Sequence, residues 1–384
     1  MSVMEAKSAE FKQILVEGDS SVRRIILNRP KQLNALSFQM VSSLLDIFLH
    51  AEKDDNLNLV ILKGKGRAFC AGGDVATVVR EINNGNAKFG ADFFRTEFTL
   101  NYVMATYTMP QVSILDGIVM GGGAGASIHG NFRVATENTV FAMPETGIGL
   151  FPDVGATYFL PRLPGFFGEY VGLTGCRLDG ADMLACGLAT HFVPSERLPS
   201  LEAALGNVNS RNLALVSAII DEYSELPNLK EMSAYSRLDI INDCFSRRTV
   251  EEILNALERK VTITTDYWIS STIQLLKKAS PTSLKISLRS IREGRLLGIG
   301  QCLVREYRMV CHVMSGRLSK DLLEGCRAVL LDKDKNPKWE PSSLQLVNDE
   351  MVDSYFMKAV NNEDYKELDL PLRPDLPIYA LAKL

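Results

Sequence analysis

The sequence predicts an α/β fold, and three observations carry that prediction. Short β-rich runs alternate with helix-periodic stretches through the first 200 residues, strand signals nearly vanish after about residue 204, and glycine-rich segments directly follow several of the strands. Taking the elements in order, 22–27 (VRRIIL) is a β-rich run stopped by Asn28-Arg29-Pro30. From Ser37 the spacing becomes helical: Phe38, Val41, Leu44, Leu45 and Phe48 line one face, with Ser37 placed as an N-cap. A short buried strand follows at 59–62, ending at Gly64, and further strands are expected at 112–115, 132–135 and 140–142. Such repeats imply parallel strands joined by crossovers, with ligands bound at strand ends. Beyond the boundary near 204, helices are expected at 211–223, 250–260, 267–278, 284–294, 300–314 and 320–329, and a charged, proline-punctuated surface loop at 331–341. The expected organisation is a core over 1–204 that holds the active site. A helical region, 205–384, packs on it and ends in a targeting tail.

Composition excludes several classes of function. The 384 residues are 46% hydrophobic and 23% charged, ordinary globular usage. The net charge is 42 − 46 = −4, which leaves no basic surplus for nucleic acid. The longest uncharged stretch through the glycine cluster, 117–128, is too short to cross a bilayer, so no membrane association is expected. Residues 1–16 carry Glu5 and Glu10 and lack an apolar signal-peptide core. Seven cysteines without a CxxC pair, and four scattered histidines, write neither a disulfide framework nor a zinc site. The terminal Ala382-Lys383-Leu384 has the small-basic-leucine form of a peroxisomal address, and Pro371, Pro374 and Pro377 before it predict an extended, accessible tail. The expectation is import into the peroxisome, with the import receptor as a partner.

Three segments carry the chemistry: 69–74 (FCAGGD), 116–125 (DGIVMGGGAG) and 143–155 (MPETGIGLFPDVG). Each has a plain structural reading, since glycine clusters make tight turns and Pro144-Glu145 suits the first turn of a helix. Asp153 after Pro152 fits a helix cap equally well. Together they suit a site. Gly73 and Gly122 each follow a strand, and their N–H groups could converge on one thioester oxygen as an oxyanion hole. Glu145 and Asp153 could supply two carboxylates for acid–base or nucleophilic work. Spacing alone leaves open whether these groups meet. Cys70, His129, Trp268 and Trp339 read as packing residues.

The segments LNRPKQLNAL (27–36), GRAFCAGGDV (66–75), IVMGGGAGAS (118–127) and MPETGIGLFPDVGATYFLPRL (143–163) resemble the enoyl-CoA hydratase/isomerase (crotonase) superfamily, and more narrowly its 3-hydroxyisobutyryl-CoA hydrolase branch. The likeness is strong over about 11–200 and resumes with SPTSLKISLR (280–289) and EGCRAVLLDKDKNPKW (324–339). It implies a spiral of ββα turns with helices at the C-terminal end, and a CoA thioester held between the N–H groups of Gly73 and Gly122. It implies Glu145 and Asp153 as catalytic acids, both also touching substrate, and Glu97 in FFRTEFTLN (93–101) as a further substrate-contacting acid. Hydratases of the family carry a second catalytic glutamate where this chain has Gly125, so hydratase activity is expected to be poor. The implied reaction is hydrolysis of 3-hydroxyisobutyryl-CoA in valine breakdown. No metal or redox cofactor is expected, CoA arriving as part of the substrate, and a homo-oligomer is allowed. The alternatives are a hydratase or isomerase reaction, or a catalytically silent CoA-binding scaffold.

Overall fold

Two sheets are laid down together as the chain winds. In the computed structural model, which describes residues 12–18, 21–263, 266–358 and 365–373, the six-stranded sheet has the order β1 (Ile14–Gly18), β2 (Val22–Leu27), β3 (Leu59–Gly64), β5 (Gln111–Leu115), β7 (Phe132–Ala135), β10 (His191–Phe192). The four-stranded sheet runs β4 (Ala68–Cys70), β6 (Ile118–Met120), β8 (Val140–Ala142), β9 (Leu178–Asp179). Each of β3, β5 and β7 is thus followed by a strand of the other sheet and then by helix. This is a ββα spiral with parallel pairing between successive turns. The expected fold class stands, as do all five strands read from the sequence.

Alternation along β3 shows why the large sheet is buried on both faces. Leu59 and Ile61 join Val112, Ile114 and Val134 under the helices Leu198–Leu205 and Leu213–Tyr223, whereas Val60 and Leu62 point into the main core. The helix Phe38–Ala51 forms where expected, with Ser37 Oγ accepting from Met40 N at 3.2 Å. Helices Val250–Val261, Tyr267–Lys278 and Ile299–Ser315 lie within a residue or two of expectation. The helix expected from 284 begins at Pro281, because Ser280 caps it and proline occupies its first turn. The helix expected over 320–329 runs from Asp321 to Cys326 and widens into a π-type turn over Arg327–Leu331. Among the described residues no helix is long and apolar enough to cross a membrane. The 382–384 tripeptide lies outside the described residues.

Candidate active site

The site is built at the C-terminal ends of three neighbouring strands of the four-stranded sheet, β4, β6 and β8. After β4 the chain is tied to the LNAL segment: Ala71 N donates to Leu33 O, Leu36 N to Gly72 O and Asp74 N to Leu36 O, at 2.8–3.0 Å. This pairing runs through the Gly72 carbonyl and the Asp74 amide, so the Gly73 N–H stays out of it. After β6 the chain reverses through Gly121 (φ 48°) into the short helix Gly122–Gly125, whose first N–H has no intrahelical acceptor. The two backbones touch. A Cβ added at Gly122 would lie 2.9 Å from Gly73 N and 2.6 Å from Glu97 Oε1, and one at Gly121 would lie 2.7 Å from Glu145 Oε1. Only glycine lets the carboxyls come this close to the backbone.

Glu97, Glu145 and Asp153 all line one cavity of about 370 Å³, together with Gly73, Gly122, Phe94, Ile148 and Leu150. They reach it from the helix Ala87–Ala105, from the 3₁₀ turn Glu145–Ile148 after β8, and from the loop beyond it. The carboxyls are only 2%, 4% and 4% exposed. One oxygen of each, Glu97 Oε1, Glu145 Oε2 and Asp153 Oδ2, has no hydrogen-bond partner among the described residues. Among the described residues no cation lines the cavity. Burial pushes Glu97 and Glu145 up to about 8, the Glu97 charge adding to the shift at Glu145. Asp153 is raised well above the ordinary range by burial, then by repulsion from Glu145, Glu97 and Glu306. At neutral pH the cluster of carboxyls therefore holds protons.

Every site residue singled out in the sequence lies in this one place. Asp153 is no helix cap: the helix Ala156–Phe159 has Gly155 at its N-cap position, and only the Asp153 carbonyl takes part, accepting from Ala156 N. A Cβ at Gly125 would stand 2.5 Å from Val154 Cβ and 2.9 Å from Asn101 Nδ2, so a larger residue has no room there. His129 is a packed histidine, its Nε2–H donating to Val154 O at 2.8 Å. Cys70 is buried and its thiol pushed up to about 12. The sequence reading missed two contributions from the helical region. Val329 and Leu330 form part of the cavity wall. Glu306, fully buried, holds the loop behind Asp153. A carboxylate on the face shared by Cys302, Leu303, Met309 and Val310 was the available signal.

The profile of the enoyl-CoA hydratase/isomerase family matches residues 22–356. The chain belongs to this family. Within it, the relatives place the chain in the 3-hydroxyisobutyryl-CoA hydrolase branch. Arabidopsis thaliana 3-hydroxyisobutyryl-CoA hydrolase 1 is 67% identical over 381 residues, covering 99% of this chain and 100% of that protein. The mitochondrial 3-hydroxyisobutyryl-CoA hydrolase of Rattus norvegicus is 44% identical over 365 residues, covering 94% and 92%. Among solved structures, a carnitinyl-CoA dehydratase from Mycobacterium thermoresistibile superposes with a TM-score of 0.82 at 34% identity, over 93% of this chain and 98% of that one. This crotonase-family membership also corrects one expectation. Relatives whose names give a compartment, the rat and Xenopus tropicalis hydrolases and an Arabidopsis hydrolase-like protein, are mitochondrial, and the peroxisomal assignment from Ala382-Lys383-Leu384 is withdrawn together with its import receptor. A receptor-read tripeptide leaves no mark on fold or chemistry, and three residues carry little information by themselves.

Proposed function

We propose that this chain hydrolyses the thioester of 3-hydroxyisobutyryl-CoA, releasing the free acid and CoA in valine catabolism. The observation that carries the reading is the meeting of three buried carboxyls, with no cation among the described lining residues, and two glycine backbones in one cavity. In this reading the N–H groups of Gly73 and Gly122 hold the thioester oxygen as it gains negative charge. Glu145, once ionised, either attacks the carbonyl carbon, giving an acyl-enzyme anhydride that water then hydrolyses to the free acid and the Glu145 carboxylate, or takes the proton of a water that attacks directly. The C–S bond breaks, and CoA leaves as a thiolate that picks up a proton. Asp153 and Glu97, protonated by burial, are hydrogen-bond donors as well as acceptors, which suits recognition of a substrate hydroxyl. No separate cofactor is called for. The walling-off of Gly125 by Val154 leaves no place for the second hydratase glutamate, which favours hydrolysis over water addition.

The test is a panel of acyl-CoA and enoyl-CoA esters. Free thiol should appear fastest with 3-hydroxyisobutyryl-CoA and should vanish in Glu145→Gln. Loss of enoyl absorbance without thiol release would make the chain a hydratase, and thiol release no faster than in Glu145→Gln would make it a silent scaffold.

A further inference from the structure

The turn that carries Asp153 is held in a conformation its own residues resist. Val154 has φ 54° and Gly155 φ 84°, two successive left-handed residues, the first of them β-branched. The helix Ala156–Phe159 that follows has no N-cap side chain of its own, because Gly155 occupies that position. The missing acceptors come from 150 residues away. Glu306, on the helix Ile299–Ser315, accepts from Gly155 N through Oε2 at 2.7 Å. Its Oε1 accepts from Thr157 N at 2.9 Å and from Thr157 Oγ1 at 2.5 Å. Glu306 is fully buried, and the neighbouring Arg305 turns away to Glu293 and the Ser290 carbonyl. Both carboxylate oxygens are thus taken by the turn. On its other side His129 bonds the Val154 carbonyl at 2.8 Å.

We propose that Glu306 is a positioning residue for the reaction: from the C-terminal helical region it clamps the 155–157 turn and so aims Asp153 into the cavity. The two anchors grip opposite edges of one peptide, the Val154 carbonyl and the Gly155 N–H, and with the Ala156 N to Asp153 O bond they fix the backbone from which the Asp153 side chain projects. A carboxylate is the fitting group, since it offers acceptors to three donors and presents none. Glutamine cannot replace it fully. With its oxygen on Thr157 its amide faces the Gly155 N–H, donor against donor.

The assignment rests on the role proposed for Asp153, and two measurements keep the two ideas apart. The first is a double-mutant cycle on the full chain with 3-hydroxyisobutyryl-CoA. Misplacement of a reacting group by about 1 Å typically costs about 10²-fold. Glu306→Gln should therefore lower kcat by about 10- to 100-fold while KM stays within about threefold. In an Asp153→Asn background the same substitution should cost less than about threefold, since the residue being aimed has already lost its function. Equal losses in both backgrounds, or a change confined to KM, would overturn the assignment. The second measurement needs no turnover: amide exchange over 153–157 should accelerate in Glu306→Gln while the rest of the core is unchanged, and unchanged exchange there would also overturn it. Where Glu306→Gln does not accumulate as folded protein, Thr157→Val removes one donor at nearly constant volume and should give the same pattern, smaller. Wild type that releases no thiol would sink the functional reading, and the exchange result would still decide the clamp.

Discussion

Raising the pH from 6 to 9 should switch the Glu145 carboxyl from acid to carboxylate inside the cavity. Burial, with repulsion from Glu97 behind it, puts this group at about 8. The ionised fraction is then about one hundredth at pH 6, about one tenth at pH 7 and about nine tenths at pH 9. Hydrolysis that needs the carboxylate should therefore show kcat/KM rising roughly tenfold per pH unit up to about 8 and levelling above it. Because Glu97 also stands at about 8 and Asp153 is raised, the three share their protons, and the observed limb belongs to the set. Glu97→Gln removes the charge that adds to burial in raising Glu145, so the limb should move to lower pH even if the plateau falls. The assay is thiol release at substrate well below KM between pH 6 and 9, corrected for spontaneous thioester hydrolysis. A profile flat between 6 and 8, or a limb unmoved by Glu97→Gln, would refute the reasoning. A falling profile would make the protonated carboxyl the working form.

Further outcomes follow from the same geometry. Asp153→Asn and Asp153→Gly should both lower turnover of 3-hydroxyisobutyryl-CoA and shrink its advantage over isobutyryl-CoA, which lacks the hydroxyl. An unpaired buried polar group costs about 1–3 kcal/mol, so a wild-type advantage that survives Asp153→Gly intact would return Asp153 to loop support. Gly122→Ala, whose added Cβ would crowd Glu97 Oε1 at 2.6 Å and Gly73 N at 2.9 Å, should lose about 10²- to 10³-fold in kcat with circular dichroism unchanged. For stability the sign runs downward with pH. Glu97 and Glu145 bind protons more tightly when folded, from 4.5 to about 8, so their contribution is complete below 4.5 and is lost as pH rises through 8. The urea midpoint should fall between pH 5 and 8, and less steeply in Glu97→Gln. Gly125→Glu should fail to confer hydratase activity and should lower the thermal midpoint, because Val154 already fills the space.

The parts of this molecule legible in its sequence are those whose physics is local. The strand at 59–62 and the helix from Phe38 announce themselves by an apolar run and by periodicity with a cap, and the glycines at 73 and 122 mark where two backbones and a buried carboxyl come close together. The helix Ala87–Ala105 went unread although Lys88, Asp92, Arg95, Thr96 and Thr99 mark an outward stripe at helical spacing, because Glu97 and Asn101 put polar residues on its buried face among Phe94, Phe98 and Met104 and blur the contrast. Motif likeness could name Glu97, Glu145 and Asp153, but the concentration of three acids in one cavity, with no cation among the described residues that line it, is a property of the folded chain alone. Glu306 shows the limit most clearly. A carboxylate within a buried helical face must find donors, and an N-terminal turn with glycine at its cap must find acceptors. Each need can be read from its own segment. That the two needs answer each other across 150 residues, and thereby tie the helical region to the aim of a site carboxyl, is written only in the packing of the helix Ile299–Ser315 against the helix Ala156–Phe159.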